Sequence, residues 1–259
     1  MPLQFDNKVA LITGGVHGMG FAAAKLLAQG GARLALADIN RAGVEAAARS
    51  LSPARAIGIA TDISNAQEVA AMVERTTKEL GPIDIFINSA AVLDDKRFLE
   101  STIADWERMF GVGIYGPMNC LRAVLPGMVE RRYGRVICMA SDAGKVGQSG
   151  HSYYAASKGA VIALIKSVAQ EVGSANVTIN GVAPGSVDTP LREARNQQLR
   201  SKIGDEKFDR RQRAIVKAHP MGRTGEPEDV AGLIAFLVSD QASWITGQVY
   251  SVNGGAVMA

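Results

Sequence analysis

Val9-Ala10-Leu11-Ile12-Thr13-Gly14-Gly15-Val16-His17-Gly18-Met19-Gly20 is a short apolar run that passes directly into spaced glycines and then into an alanine-rich segment. A strand that turns into a helix over glycines lets the backbone approach a pyrophosphate at the helix N-terminus, where free N–H groups and the helix dipole favour negative charge. The spacing Gly14-x-x-x-Gly18-x-Gly20 differs from the commoner G-x-G-x-x-G, and a glycine-rich turn by itself also serves as a plain tight connection. The neighbouring residues favour the dinucleotide reading. The second apolar run ends at Asp38, where a carboxylate can accept from both adenosine ribose hydroxyls and repels a 2′-phosphate, so NAD is expected rather than NADP. The alternative for Asp38 is a solvated strand end. His17 can approach a 2′-phosphate, but a neutral imidazole offers little attraction beside Asp38. Thr61-Asp62-Ile63 closes the third run, either against an adenine edge or as the start of the next turn. Gly14, His17, Gly18, Met19, Gly20, Asp38, Ile39, Asp62 and Ile63 are thus the candidate contacts for this half of a dinucleotide.

Short apolar runs alternate with helix-period segments along the rest of the chain, the pattern of a parallel sheet covered on both faces. The expected strands are Val9–Ile12, Arg33–Ala37, Ala56–Ala60, Ile83–Asn88, Arg135–Met139, Val177–Val182 and Val249–Val252. Gly30-Gly31, Gly81-Pro82 and Gly173 read as helix stops, Ser64-Asn65-Ala66-Gln67 as a capping box, and Pro227 as a first-turn proline. The strand ends matter for chemistry, because a doubly wound sheet binds ligands at its carboxyl edge. There the fourth run gives Asn88-Ser89-Ala90-Ala91, the fifth Met139-Ala140-Ser141, and the sixth the rigid loop Pro184-Gly185-Ser186-Val187-Asp188-Thr189-Pro190.

Composition bounds the alternatives. The 259 residues are 47% apolar and 20% charged, enough for one large α/β core. A net charge of +3 without a dense basic face disfavours a nucleic-acid partner. Cys120 and Cys138 have neither CxxC nor His spacing and read as packing thiols of a reducing compartment, with no metal site and no disulfide framework. No run approaches about 18 apolar residues and the N-terminal Met-Pro-Leu-Gln-Phe-Asp-Asn-Lys has no signal pattern, so a soluble cytoplasmic protein without a membrane partner is expected.

Tyr154-Ala155-Ala156-Ser157-Lys158 puts a phenol and an ammonium on one helix face. A phenol titrates near ~10 and a base for neutral pH near ~7, so about 4 kcal/mol must come from its surroundings. An ammonium about 6 Å away supplies roughly 3 kcal/mol at an effective dielectric of ~20, and an oxidised nicotinamide would add a second cation. A tyrosine and a lysine so spaced are also common on solvated faces, and the rest of the chain must decide.

With Thr13 to Gly20, Asp38, Asn88 to Ala91, Ser141, Tyr154, Lys158 and Pro184 to Thr189 assembled, the chain resembles the short-chain dehydrogenase/reductase family over its whole length. Trp244-Ile245-Thr246-Gly247-Gln248 and Val252-Asn253-Gly254-Gly255 look like the family's closing strand. The resemblance implies an α/β fold, a single-domain Rossmann-type doubly wound parallel sheet of about seven strands with helices on both faces, over residues 1–259, and usually a homotetramer. It implies that Tyr154 exchanges a proton with the substrate oxygen while nicotinamide exchanges a hydride with its carbon, and that Ser141 hydrogen-bonds that oxygen. Lys158 would bind the nicotinamide ribose and lower the Tyr154 pKa, Asn88 to Ala90 would flank the cofactor, and Thr189 would hold the carboxamide beside Pro184, Gly185 and Val187. The partner is then a small alcohol or ketone.

Two positions depart from the family pattern. Asn-Asn-Ala-Gly is here Asn88-Ser89-Ala90-Ala91, and the usual catalytic asparagine is Gly113 within Gly111-Val112-Gly113-Ile114-Tyr115-Gly116-Pro117. Three glycines and a proline predict a helix kink there, and an extra water or a polar neighbour such as Asn119 is expected to stand in for the missing carboxamide. The segment at about 190–217 reads as a helical lid carrying Arg192, Arg195, Arg200, Lys202, Lys207, Arg210, Arg211 and Arg213. These attract an anionic substrate or form a solvated face, the commoner case. His151 touches substrate or merely packs. The resulting expectation is an NAD-dependent secondary-alcohol dehydrogenase. Its rivals are an NADPH-linked ketoreductase and a non-catalytic dinucleotide-binding sensor signalled by Gly113.

Overall fold

The computed structural model describes residues 3–259; Met1 and Pro2, the start of the N-terminal stretch read above, lie outside the described residues. Seven strands make one wholly parallel sheet in the order β3-β2-β1-β4-β5-β6-β7. The first half runs β1 (Val9–Thr13), α1 (Gly18–Gln29), β2 (Arg33–Asp38), α2 (Arg41–Ser50), β3 (Ala56–Ala60), α3 (Ala66–Leu80) and β4 (Ile85–Asn88). α4 (Ile103–Phe110) and α5 (Gly116–Glu130) then lead to β5 (Gly134–Met139), α6 (Asp142–Val146), α7 (Ser152–Val172) and β6 (Val177–Pro184). α8 (Pro190–Ile203), α9 (Asp205–Ala218) and α10 (Pro227–Leu237) precede β7 (Val249–Val252).

The continuous apolar runs become central strands because both faces of the sheet are covered: every residue of β1, β4, β5 and β6 is buried. One face packs Ile12, Leu34 and Leu36 against α1, α2 and α10, where Ala22, Ala23 and Ala24 let α1 approach Val230 and Ile234. The other packs Leu11, Phe86 and Val136 against Met72 of α3, Val124 of α5 and Ile165 of α7. From β1 the chain winds outward through β2 and β3, then returns to β4 and winds the other way. The crevice at that reversal is where this topology can hold a ligand.

Element boundaries moved where side chains intervene. β4 starts at Ile85, not Ile83, because the Asp84 carboxylate accepts the Val9 amide (3.0 Å) at the strand's entrance. β6 extends past Val182 to Pro184 because Ala183 and Pro184 pair with Ser251 and Val252. The cap of α3 is Asn65, which accepts from the Gln67 and Glu68 amides, while Ser64 turns its hydroxyl to Asp62 (2.7 Å). Pro227 does open α10. The expected kink is a π-helical turn over Gly111–Tyr115, a form that widens the helix locally.

Candidate active site

A cleft of about 720 Å³ opens along the carboxyl edge of the sheet, the volume of a small-molecule site. Asp38, Ile39, Asp62 and Ile63 line one end. Gly14, His17, Gly18, Met19, Ala90, Pro184, Gly185, Val187 and Thr189 form its middle, and Ser141, His151 and Tyr154 line the other end.

Close packing explains the glycines. Gly14 has φ +64°, and a Cβ there would sit 2.7 Å from the Ala90 amide nitrogen, so only glycine lets the turn lie against the end of β4. His17 precedes α1 in extended conformation and does not cap it with its side chain, leaving the first-turn amides directed at the cleft, a cradle suited to phosphate oxygens. Thr189 caps α8 by accepting the Arg192 amide (3.2 Å) and stands over the Gly18 backbone. At the far end the Asp38 carboxylate accepts the Asn40 amide (3.0 Å), and beside it Ile39 is 75% exposed. Neither lysine nor arginine lines that end among the described residues. The residues present fit a dinucleotide.

Three expected cofactor contacts lie outside the cleft wall. Gly20 abuts the Gly14 carbonyl, so its role is to bring α1 against the turn. The Asn88 side chain is buried and accepts from the Thr13 hydroxyl (2.7 Å), tying β4 to β1 rather than facing a ligand. Lys158 lies beneath the wall, donating to the Met139 carbonyl (2.7 Å), with Nζ 5.8 Å from the centroid of the Tyr154 ring.

Tyr154 and Lys158 share the inward face of α7, as their spacing requires. Ser141 caps α6 by accepting the Ala143 amide (3.2 Å). Burial pushes the Tyr154 phenol above its ordinary value, against the opposing hydrogen bond of Ser141 and charge of Arg195. Burial outweighs these lowering effects on the phenol, and it brings Lys158, whose ammonium donates to the Met139 carbonyl, down to about 8. Ser157, on the same helix, is fully buried and donates to the Tyr154 carbonyl (2.8 Å). A Cβ on Gly113 would lie 2.9 Å from the Ser157 Oγ. The Asn119 amide, expected to stand in for the missing carboxamide, is instead engaged by the Ile63 carbonyl (3.0 Å) and the Ser64 carbonyl (3.3 Å).

His151 is buried at the N-terminus of α7, its ring edge-on to Tyr154 at 6.1 Å, with Nε2 3.3 Å from Asp95 Oδ1. Burial holds it below its ordinary value despite Asp95. Asp95 also accepts from Arg195 Nε (2.6 Å) and lies 3.6 Å from Arg211 NH2. Burial pushes the Asp95 carboxyl up, but Arg195, His151 and Arg211 more than offset this and hold it below the usual range. Asp95, and which of the eight basic residues turn inward, escaped the sequence reading because no motif marks a loop carboxylate. Helical period alone does not say which face of α8 or α9 meets the cleft.

A family model described as enoyl-(acyl carrier protein) reductase matches residues 14–257. The chain is 38% identical over 254 residues to the meso-2,3-butanediol dehydrogenase of Serratia marcescens, covering 98% of this chain and 96% of that one. It is 34% identical over 256 residues to the 3-oxoacyl-(acyl-carrier-protein) reductase FabG of Vibrio cholerae, covering 99% and 100%. The crystal structure of a short-chain dehydrogenase/reductase of the glucose/ribitol dehydrogenase type from Brucella melitensis superposes with TM-score 0.89 at 32% identity, over the full length of both chains.

Proposed function

The chain belongs to the short-chain dehydrogenase/reductase family and is an oxidoreductase acting on alcohols and ketones, and on that premise we propose that it is NAD(H)-dependent, interconverting a secondary alcohol and its ketone with Tyr154 as the acid–base group. One observation carries the reading: Ser141 and Tyr154 meet over Lys158 at one end of a cleft whose other end holds Asp38. When bound, the dinucleotide supplies the hydride acceptor or donor. In oxidation the Tyr154 oxygen takes the proton of the substrate hydroxyl, and in reduction it returns that proton to the forming alcohol. Ser141 donates a hydrogen bond to the substrate oxygen and fixes its distance from the phenol. Lys158 would bind the nicotinamide ribose by turning its ammonium from the Met139 carbonyl toward the cleft, and Thr189 with Pro184, Gly185 and Val187 holds the carboxamide end. Asp38 selects NAD by accepting from the ribose hydroxyls and repelling a 2′-phosphate.

The helices α8 and α9 act as a lid over the substrate within a single catalytic domain. The apolar residues left outside, including Trp244 at 98% exposure, support self-association; the assembly proposed is a homotetramer, which light scattering would test. The buried free thiols Cys120 and Cys138 support a reducing, cytoplasmic setting, and no helix among the described residues is long and apolar enough to cross a membrane.

The test is turnover of a panel of secondary alcohols and ketones with NAD(H) and NADP(H), with Tyr154→Phe as control. Tyr154-dependent turnover favouring NAD by about 100-fold or more is expected. An equal preference for NADPH hands the reading to a ketoreductase, and tight NAD binding without turnover hands it to a sensor.

A further inference from the structure

We propose that the substrate of this site bears a carboxylate, seated against Arg192, Arg195 and Arg211 beyond the reacting carbon. The inference rests on the alcohol–ketone reading above and names its substrate class.

The basic residues of α8 and α9 divide into two sets. Arg200, Lys202, Lys207, Arg210, Arg213 and Lys217 are exposed to solvent, whereas Arg192, Arg195 and Arg211 line the cleft. Their counter-charges do not line the cleft. Asp188 pairs with Arg192, and Asp95 is shared between Arg195 and Arg211, so three guanidiniums face two carboxylates. The carboxylate that lines this end among the described residues, Asp142, is buried and already accepts from Ser251 Oγ (3.1 Å) and Asn253 Nδ2 (2.7 Å). One positive charge is therefore left for a ligand to neutralise.

A second observation points to an anion. Gln212 Oε1 accepts from Arg192 NH2 (3.2 Å), which fixes the amide's orientation and leaves Nε2 buried with no acceptor. A buried donor beside the buried Arg192 guanidinium calls for an acceptor, which an anion reaching past Arg192 from the cleft would supply, since Gln212 itself stands behind the lining. Arg192 is moreover held below its ordinary value by burial and by the charge of Arg195, a crowding of like charges that an anion between them relieves. Arg195 also acts electrostatically on the Tyr154 phenol, so the cationic wall adjoins the reacting centre. Planar guanidinium forks match a carboxylate in bidentate geometry.

The test compares short secondary hydroxy acids with their methyl esters, and titrates the protein with malonate, malonamide and inorganic phosphate by calorimetry in the presence of NAD. We expect kcat/KM to favour the acid over its ester by about 30-fold, and malonate to bind at least about tenfold tighter than malonamide. Arg195→Gln and the less embedded Arg211→Gln should each cut both preferences by about tenfold, mainly through KM. Esters turned over as well as acids, or malonate binding no tighter than malonamide, overturns the proposal. Phosphate binding tighter than malonate overturns it in favour of a phosphorylated ligand. If neither acid nor ester is turned over while other secondary alcohols are, the carboxylate proposal fails and the alcohol–ketone reading stands; if no alcohol of the panel is turned over, that reading fails on its own, and the malonate titration still decides the anion site.

Discussion

The Ser157 hydroxyl occupies the space that a side chain at position 113 would need: a Cβ on Gly113 would lie 2.9 Å from Ser157 Oγ and 3.0 Å from its Cβ. That hydroxyl cannot swing away freely, because it donates to the Tyr154 carbonyl on the buried face of α7. The π-helical turn and α7 are packed for glycine, so restoring the family's asparagine is not a local repair. Gly113→Asn should destabilise the protein by about 1–3 kcal/mol through overpacking, lowering Tm by roughly 2–10 °C without raising kcat. Adding Ser157→Ala should recover part of the loss. A variant with unchanged Tm and a kcat raised several hundred-fold would show that the site is crippled by the missing carboxamide.

With Tyr154 as the proposed acid–base group, Tyr154→Phe should lower kcat by about 10²–10⁴-fold while the dissociation constant for NAD, read by fluorescence, stays within a factor of about three.

The acid–base profile reports on Arg195. Burial raises the Tyr154 phenol, and Ser141 and Arg195 oppose that rise. Alcohol oxidation needs the phenolate, so its kcat/KM rises with pH through the phenol's titration. Removing a cation disfavours the phenolate, and Arg195→Gln should therefore move the rising limb to higher pH. A limb that moves down, or stays in place, contradicts the electrostatic link.

Lys158 trades stability for function. Burial lowers its folded-state value to about 8 from an ordinary 10.5, so between those values the unfolded chain binds more protons and stability increases with pH. Below pH 8 the full cost of the buried charge is present, about 3 kcal/mol at 1.36 kcal/mol per unit, reduced by the hydrogen bond to Met139. Lys158→Met should thus raise Tm at pH 7 by several degrees, with the gain fading toward pH 10.5, and should abolish most turnover. A loss of stability at pH 7 would show that the Met139 hydrogen bond outweighs desolvation.

In the reading proposed above, Asp38 selects the cofactor. Asp38→Ser with Ile39→Arg should reverse the kcat/KM preference from NAD toward NADP by about two orders of magnitude, since it removes the repulsion of a 2′-phosphate and supplies a guanidinium to hold it. Unchanged selectivity in steady-state kinetics would remove Asp38 as the selector.

The sequence by itself determined the order of strands and helices, because apolar runs such as Ile83–Asn88 have no stable place except between two covered faces, and because the glycines from Gly14 to Gly20 mark a tight turn from strand into helix. It also determined the pairing of Tyr154 with Lys158, since helical spacing fixes which side chains share a face. Only the tertiary structure decided where each polar group spends its hydrogen bonds. Asn88 turned inward to Thr13, Asn119 to Ile63 and Lys158 to Met139. Burial, a property of the packed whole, set the direction of the Tyr154 and Lys158 shifts. The division of the lid's charges was likewise invisible in one dimension: α8 is polar on most sides, so its own periodicity names no inner face. The contacts of Arg195 and Arg211 with Asp95, about a hundred residues away in the chain, do.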